Sequence, residues 1–264
     1  MSGDAGERCI GLILAGGSGK RMGMNRPKAF VPLAGRALVA WSLIAFVRHP
    51  DVTDVLVVVP PGWEDRFREE ALAAIPAELH PALRKIWGVV PGGPHRQDST
   101  RLGLEAACGI LPACAEALVL VHDAARPLVS AELITRVVTR LRAVAEPEEP
   151  RAGVIPVVAE PDTLKEIAAA GTDVVGRVRR TVPRAGLWRA QTPQGFELRA
   201  LLEAHASARA EGRTATDDAM LFEWRGWPVD AVAGEAANIK ITERDDLARV
   251  EAHLAHRPRA GEEQ

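Results

Sequence analysis

The feature that most limits the fold of this chain is a regular alternation of short apolar runs with longer helical stretches. The apolar runs are rich in β-branched residues and bounded by turn residues, as buried parallel strands are. They cover residues 9–14, 55–59, 85–90, 117–121 and 153–158. The stretches between them have apolar residues at helical spacing and cover residues 38–47, 64–74, 100–110 and 131–145. This order predicts an α/β fold with a doubly wound, mostly parallel, Rossmann-like sheet that binds ligands at the carboxyl ends of its strands.

The pattern changes after the charged, proline-broken segment at residues 146–151. Residues 163–167 and 174–181 flank a turn at Gly171 and predict a β-hairpin that protrudes from the main sheet. An isolated hairpin is marginally stable in water, so we expect this arm to pack against a second subunit in a homodimer.

The remaining segments predict a single domain. Helices at residues 198–210 and 245–254 would complete a domain that spans residues 8–255. The β-arm would occupy residues 159–185 within it, and residues 256–264 would form a flexible tail.

Composition excludes several classes of protein. The 264 residues are 47% hydrophobic and can bury a core, and a net charge of −2 leaves no basic excess for a nucleic-acid backbone. The apolar runs are far shorter than a membrane span, and residues 1–8 contain no signal-peptide core. The three cysteines form no C-x-x-C pair, as expected for incidental thiols in a reducing compartment. We therefore expect a cytoplasmic protein without a nucleic-acid or membrane partner.

A glycine-rich segment follows the first predicted strand. Residues 14–22, the glycine loop, read L-A-G-G-S-G-K-R-M, and P-K follows at 27–28. Glycine lets backbone N–H groups approach a phosphate chain, and Lys20, Arg21 and Lys28 supply positive charge. The segment is not a P-loop, because Arg21 stands where Ser or Thr is required, nor a dinucleotide fingerprint, because a methionine replaces the third glycine. It is either a cradle for a triphosphate or a tight turn with solvated basic residues.

Four further blocks follow in order along the chain: V-H-D-A-A-R-P at 121–127, Q-T-P-Q at 191–194, T-D-D-A at 216–219 and N-I-K-I-T at 238–242. With the glycine loop, they resemble the motifs of the 2-C-methyl-D-erythritol 4-phosphate cytidylyltransferase family over roughly residues 10–254. The resemblance implies an enzyme that transfers CMP from CTP to 2-C-methyl-D-erythritol 4-phosphate. This step of non-mevalonate isoprenoid biosynthesis forms 4-diphosphocytidyl-2-C-methyl-D-erythritol and pyrophosphate.

The resemblance also implies roles for the residues around the triphosphate. The nucleotide-binding positions of the glycine loop would be Ala15, Gly16, Gly17, Ser18 and Gly19. Positively charged side chains would be needed at the α-phosphate, because it gains negative charge as the acceptor phosphate attacks. The matching residues are Arg21, Lys28 and Lys240, and the alternative for Lys240 is a solvated surface lysine.

Asp123 lies at the end of a predicted strand, at the ligand-binding edge of the sheet. A carboxylate there suits Mg²⁺, or another divalent cation, that bridges triphosphate oxygens. By resemblance, Asp123 contacts both the metal and the substrate, whereas a helix-capping aspartate is the alternative. The neighbouring His122 is expected to be satisfied by the backbone and to transfer no proton.

A second turn, G-G-P-H-R-Q-D-S at residues 92–99, follows the third predicted strand and resembles the family's base-recognition turn. The resemblance places Gly93 and the Ser99 hydroxyl against cytosine, with Arg96 supporting the loop. A proline and a histidine replace acidic residues common in that turn, and the proline removes an N–H donor. The alternative for Ser99 is the N-cap of the following helix.

The acceptor phosphate is expected to bind between two subunits. By resemblance, Arg126, Thr192 and Thr216 belong to the acceptor pocket of one chain. Thr163 and Arg184 of the β-arm would reach the site of the other subunit, where a guanidinium can bind phosphate through two hydrogen bonds.

The arm also departs from the family pattern. Residues 160–161 form an insertion, and Pro183 replaces an acidic residue. A solvated hairpin without a ligand role is therefore the alternative for this segment.

Three other functions share part of this pattern. A ribitol-5-phosphate cytidylyltransferase would have the same loop, aspartate and arm, but the pair Ala124-Ala125 favours the methylerythritol enzyme. Transfer of GMP to a molybdopterin is disfavoured by the arm and the N-I-K block. A regulatory nucleotide-binding subunit would be expected to lack the loop cations that this chain retains.

Overall fold

The centre of the molecule is a mixed, mostly parallel sheet of eight strands. The computed structural model describes residues 7–17, 19, 22–111, 117–144, 152–169 and 176–256. Within them, strands β1 to β12 cover Cys9–Leu14, Pro32–Leu33, Arg36–Ala37, Asp54–Val59, Ile86–Pro91, Leu118–Asp123, Gly153–Ala159, Leu164–Ala169, Gly176–Val182, Trp188–Ala190, Gln194–Glu197 and Val229–Ala233.

The helices of the same residues, α1 to α7, cover Leu38–Arg48, Glu64–Arg66, Arg96–Ile110, Ala131–Val144, Leu198–Ala210, Ala219–Trp224 and Arg244–Ala255. Short 3₁₀ segments lie at Lys28–Phe30 and Ala77–Lys85. The helix predicted at residues 64–74 is only partly confirmed, because α2 passes into a wider, π-type segment at Phe67–Leu72.

The strand order β10-β7-β11-β6-β1-β4-β5, with β12 also paired to β7, confirms the predicted fold class. Strand β1 lies between β4 and β6 and is parallel to both. Its last residue, Leu14, is the register partner of Val58 in β4 and of Asp123 in β6. The three strands therefore end at one edge of the sheet, where the loops that follow them meet.

Helices cover both faces of the sheet, which explains why β1 is buried along its whole length. Successive side chains of a strand point to opposite faces. Accordingly, Ile13 packs into the apolar core that contains Phe46 of α1 and Val137 of α4, whereas Leu12 packs into the core that contains Leu104 of α3 and Leu201 of α5.

The second half of the chain adds strands that the sequence pattern does not predict. Strand β11 lies antiparallel between β6 and β7, and β10 pairs antiparallel with β7. Strand β12 runs parallel to β7. The sheet is therefore parallel at its centre and mixed on one side.

The predicted hairpin outside the main sheet is confirmed. Strands β8 and β9 pair antiparallel in a sheet of their own, with Leu164 opposite Val182. Ile167 and Val178 of this arm are exposed. The predicted turn at Gly171, the connection at 146–151 and the tail from residue 257 lie outside the described residues.

Two expectations from composition concern cysteines and membranes. Cys9 is a free, buried thiol, and burial raises its pKa to about 12. The expectation of incidental thiols is wrong for Cys108, which is disulfide-bonded.

Within the described ranges, no helix has both the length and the apolar character needed to cross a bilayer.

Candidate active site

A cleft of about 380 Å³ opens at the carboxyl ends of β1 and β6, a volume suited to a small ligand. It brings together nine of the residues predicted to form the site: Ala15, Gly16, Gly17, Lys28, Gly93, Arg96, Ser99, Asp123 and Lys240. Gly19 is buried and does not line the cleft. Ser18 and Arg21, which were predicted for the same site, lie outside the described residues.

Gly17 and Gly19 of the glycine loop lie against the segment that carries Lys28. The Lys28 N–H donates to the Gly17 carbonyl oxygen at 2.9 Å. Gly19 has a φ of +69°, and a Cβ there would lie 2.6 Å from the Arg26 carbonyl oxygen, so the turn requires glycine. The Lys28 ammonium donates to the Ile241 carbonyl oxygen at 2.9 Å, which joins the loop to the N-I-K-I-T block.

Asp123 is held between two cations. Its Oδ2 lies 2.6 Å from the Lys240 ammonium and its Oδ1 lies 3.0 Å from Nε of Arg96. Burial alone would raise the pKa of Asp123, but the charges of Arg96 and Lys240 outweigh it and hold the pKa far below its usual value. Asp123 is therefore ionised at neutral pH. Its side chain forms ion pairs rather than a helix cap, and Lys240 is not merely a solvated surface lysine.

Arg96 links the cleft to the interior. Its NH1 donates to Oδ2 of Asp218 at 2.7 Å, in addition to the Nε contact with Asp123. Burial alone would lower the pKa of Arg96, but Asp218 and Asp123 raise it. The guanidinium is therefore committed to two carboxylates, a partnership that the resemblance to a base-recognition turn did not predict.

Ser99 ties the second turn to α3. The Gly93 N–H donates to Ser99 Oγ at 3.1 Å, and Oγ lies 3.1 Å from the His95 carbonyl oxygen. Because α3 begins at Arg96, Ser99 lies inside the helix and is not its N-cap. Gly93 lines the same cleft as Gly16 and Gly17 of the glycine loop.

Arg126 lies near the cleft but does not line it. Its guanidinium donates to the carbonyl oxygens of Asn238 at 2.7 Å and Ala190 at 3.1 Å. No carboxylate within the described ranges forms a salt bridge with it, and burial lowers its pKa. Among the described residues, the positive charge of Arg126 thus faces backbone carbonyl oxygens and the more distant Asp123.

The other predicted acceptor residues also lie outside the cleft lining. Thr192 is buried, and its Oγ1 accepts the Asp123 N–H at 3.1 Å. Thr216 is exposed. On the arm, Thr163 and Arg184 are exposed, and Arg184 donates to the Pro161 carbonyl oxygen.

His122 is buried behind Asp123, with its two ring nitrogens 3.1 Å from Thr192 Oγ1 and 3.2 Å from the Arg126 carbonyl oxygen. Burial lowers its pKa to about 4, so the ring is neutral at pH 7. Nε2 faces the backbone, as expected, whereas Nδ1 faces the side chain of Thr192.

Hydrogen bonds that the sequence did not predict hold the later sequence blocks together. Gln191 donates to the Glu235 carbonyl oxygen at 2.8 Å, and the Asn238 amide donates to the Thr192 carbonyl oxygen at 2.9 Å. Gln194 accepts the Asp218 N–H at 3.1 Å. These hydrogen bonds connect three loops to one another. The polar residues that flank the assigned threonines were the sequence feature from which the contacts could have been predicted.

The cleft offers limited protein ligation for a metal. Asp123 is the only carboxylate among the described residues that line it, and those residues contain no group of three or more His, Cys, Asp or Glu side chains suited to a metal ion. One carboxylate at a phosphate cleft still fits Mg²⁺, which keeps most of its water and binds through phosphate oxygens. A single carboxylate, Asp123, thus fits a cation that binds together with a triphosphate.

Comparisons with known proteins agree on one family. A family model described as 2-C-methyl-D-erythritol 4-phosphate cytidylyltransferase matches residues 9–256. A protein of that name from Prochlorococcus marinus (strain MIT 9313) is 42% identical over 246 residues, covering 93% of this chain and 98% of the relative. The bifunctional enzyme IspD/IspF of Rhodospirillum rubrum is 42% identical over 240 residues, covering 91% of this chain but 55% of that longer relative.

Solved structures give the same result. The crystal structure of 2-C-methyl-D-erythritol 4-phosphate cytidylyltransferase from Thermus thermophilus is 37% identical, with a TM-score of 0.67 over 92% of this chain and 98% of that one. The 4-diphosphocytidyl-2C-methyl-D-erythritol synthase of Anaerococcus prevotii is 28% identical, with a TM-score of 0.72 over 95% and 97%.

Proposed function

The chain belongs to the 2-C-methyl-D-erythritol 4-phosphate cytidylyltransferase family, and we propose that it transfers CMP from CTP to 2-C-methyl-D-erythritol 4-phosphate in non-mevalonate isoprenoid biosynthesis. The observation that carries the proposal is the strand-end cleft, where the glycine loop faces Asp123 between Lys240 and Arg96. The products are 4-diphosphocytidyl-2-C-methyl-D-erythritol and pyrophosphate. The proposed location of the reaction is the cytoplasm.

The transfer needs no covalent enzyme intermediate. An oxygen of the acceptor phosphate attacks the α-phosphorus of CTP, and the bond from that phosphorus to the pyrophosphate oxygen breaks, with its electrons leaving on pyrophosphate. Lys28 and Lys240 stabilise the negative charge that grows on the α-phosphate. Arg21 has the same role by resemblance to the family.

The nucleotide lies between the two turns of the cleft. Backbone N–H groups of residues 15–19 bind the phosphates, and Gly93 and Ser99 contact cytosine, with Arg96 holding the turn in place. Asp123 would hold Mg²⁺ together with triphosphate oxygens, and the cation would neutralise phosphate charge.

The acceptor binds beside Arg126, whose guanidinium lacks a carboxylate partner in the described part of the chain. Thr192 and Thr216 complete this pocket. The β-arm mediates a homodimer and places Thr163 and Arg184 in the site of the other subunit. Two observations support this role: the arm stands apart from the main sheet, and it exposes Ile167 and Val178.

The decisive experiment is a grid of pyrophosphate-release assays on purified protein. Each of the four NTPs is combined with methylerythritol phosphate or ribitol phosphate, with Mg²⁺ or with excess chelator. We expect release only with CTP, methylerythritol phosphate and Mg²⁺. Full activity in chelator would contradict the metal role of Asp123.

The other outcomes separate the alternatives. Release with CTP and ribitol phosphate would keep the mechanism and change the acceptor. No release in any combination, although calorimetry detects CTP binding, would favour a regulatory nucleotide-binding protein.

A further inference from the structure

A line of charged contacts leads from the cleft into the interior. Lys240 contacts Asp123 at 2.6 Å, Asp123 contacts Arg96 at 3.0 Å, and Arg96 contacts Asp218 at 2.7 Å. Oδ1 of Asp218 then lies 3.1 Å from Nε2 of His205. The first three residues line the cleft, whereas Asp218 and His205 do not.

His205 makes a single polar contact in the described part of the chain. It lies on α5, its side chain is 0% exposed, and its Nε2 faces Asp218. Its other ring nitrogen, Nδ1, is buried without a hydrogen-bond partner among the described residues. A leucine would fill similar space without an unpaired nitrogen, so the contact with Asp218 is what distinguishes histidine here.

Asp218 is fixed from three directions. Its Oδ1 accepts from His205, its Oδ2 accepts from Arg96, and its backbone N–H donates to Gln194 at 3.1 Å. With both carboxylate oxygens engaged, Asp218 cannot rotate without losing a contact. The orientation of Asp218 in turn sets the position of the Arg96 guanidinium.

The position of Arg96 determines which oxygen of Asp123 contacts Arg96 and which contacts Lys240. With NH1 committed to Asp218, Arg96 offers Nε to Oδ1 of Asp123 and leaves Oδ2 to Lys240. Arginine and carboxylate otherwise tend to pair through two parallel hydrogen bonds. An Arg96 released from Asp218 would take both oxygens of Asp123 and displace Lys240.

We propose that His205 is a positioning residue for nucleotidyl transfer: it holds Asp218, which fixes Arg96 so that Asp123 keeps one oxygen for Lys240. The inference rests on the proposed function, because Lys240 acts on the α-phosphate. Among the described residues, His205 makes no direct polar contact with a residue that lines the cleft. It is linked to the cleft through Asp218, which pairs with Arg96.

The test compares His205→Leu with His205→Gln, whose amide nitrogen can replace Nε2 as the donor to Asp218. We expect the Leu variant to keep its melting temperature and its KM for CTP within about threefold, while kcat falls roughly 10-fold, as for other orienting partners of site residues. The Gln variant should retain kcat within about threefold. Equal kcat for the Leu variant and the wild type would overturn the proposal, as would equal losses in both variants with lowered melting temperatures.

A double-mutant cycle tests the route of the effect. If His205 acts through Arg96, adding His205→Leu to an Arg96→Gln protein should lower kcat no further. Additive losses would overturn the proposal. Should the Leu variant not fold, Asp218→Asn takes its place in the same cycle, with the same expected result.

A crystal structure of the Leu variant separates this inference from the proposed function. We expect Arg96 to contact both oxygens of Asp123 and Lys240 to leave them. Unchanged contacts would overturn the positioning role, whatever the activity. Absence of pyrophosphate release by the wild type would contradict the proposed function alone.

Discussion

Single residues at the cleft combine charge with fixed geometry. Lys240 and Arg96 hold Asp123 from two sides, and Lys28 is held by the Ile241 carbonyl oxygen. Charges that are already oriented need little reorganisation as negative charge grows on a transferred group. Their contribution should therefore be measurable in turnover more than in nucleotide affinity.

We expect Lys28→Ala to lower kcat by roughly 10²–10³-fold, the usual cost of losing one preorganised electrostatic contact, while CTP still binds. Steady-state pyrophosphate release measures kcat, and calorimetric titration measures CTP affinity. Arg199→Ala, which removes an exposed cation on α5 outside the cleft lining, is the control and should keep wild-type turnover. Wild-type turnover in the Lys28 variant would remove this residue from the mechanism.

His122 should make stability depend on pH. Burial lowers its pKa to about 4 in the folded protein, whereas the pKa of an unfolded-chain histidine is about 6.5. Between these values the unfolded chain binds a proton that the folded protein does not. The stabilisation is therefore fully present above the unfolded pKa and is lost as pH falls toward 4. We expect the free energy of unfolding to fall by about 2 kcal/mol between pH 7 and pH 5 through this group.

Urea denaturation across that pH range measures the effect. His122→Gln should flatten the dependence relative to the wild type. His49, whose pKa is also lowered by burial, contributes in the same direction and is present in both proteins. Identical pH profiles for His122→Gln and the wild type would contradict the assignment.

At the scale of elements, helix α3 depends on close contact with the sheet. A Cβ at Gly103 would meet Leu12 Cδ1 at 2.6 Å and Val58 Cγ2 at 2.9 Å. A Cβ at Gly109, in the same helix, would meet no atom of the described residues within 4 Å. The two glycines share the same low helix propensity but differ in the space around them.

We expect Gly109→Ala to stabilise the protein by up to about 1 kcal/mol through helix propensity. Gly103→Ala should be less stable than Gly109→Ala by about 1–3 kcal/mol, because the added methyl group overpacks the core. Denaturant midpoints of the two variants give this difference, from which the shared propensity effect largely cancels. Equal stabilisation by both changes would show that α3 does not approach the sheet this closely.

Elements with an internal apolar pattern could be predicted from the sequence. Strand β4, Asp54–Val59, was predicted to within one residue, because its β-branched run is buried on both sides. Strand β11, Gln194–Glu197, has four residues including Gly195, and no local pattern distinguishes it from a loop. Its place between β6 and β7 is set by tertiary pairing.

In the site, too, some contacts follow from local sequence pattern and others depend on tertiary structure. The meeting of the glycine loop with Asp123 follows from parallel strands that end at one edge, so sequence order was sufficient to predict it. The ion pair between Arg96 and Asp218 joins residues 122 positions apart. No spacing rule connects such positions, and only the folded chain shows that Arg96 is shared between two carboxylates.

At the scale of the whole molecule, the β-arm provides the test of assembly. Thr163 and Arg184 are exposed and lie outside the cleft lining of their own chain. If the arm completes the site of the other subunit, each active site combines Lys28 from one chain with Arg184 from the other. Defects in these two residues would then be complementary in a mixed dimer.

We expect Lys28→Ala and Arg184→Ala proteins, each nearly inactive alone, to regain activity when mixed and allowed to exchange subunits. A hybrid dimer has one site with both defects and one site with neither. Since random exchange makes about half of the dimers hybrid, activity should approach about a quarter of the wild-type value. Native mass spectrometry measures the hybrid fraction, and recovered activity should rise in proportion to it. No recovery at a proven hybrid fraction would mean that each site is built from a single chain, with Arg184 serving its own subunit or none.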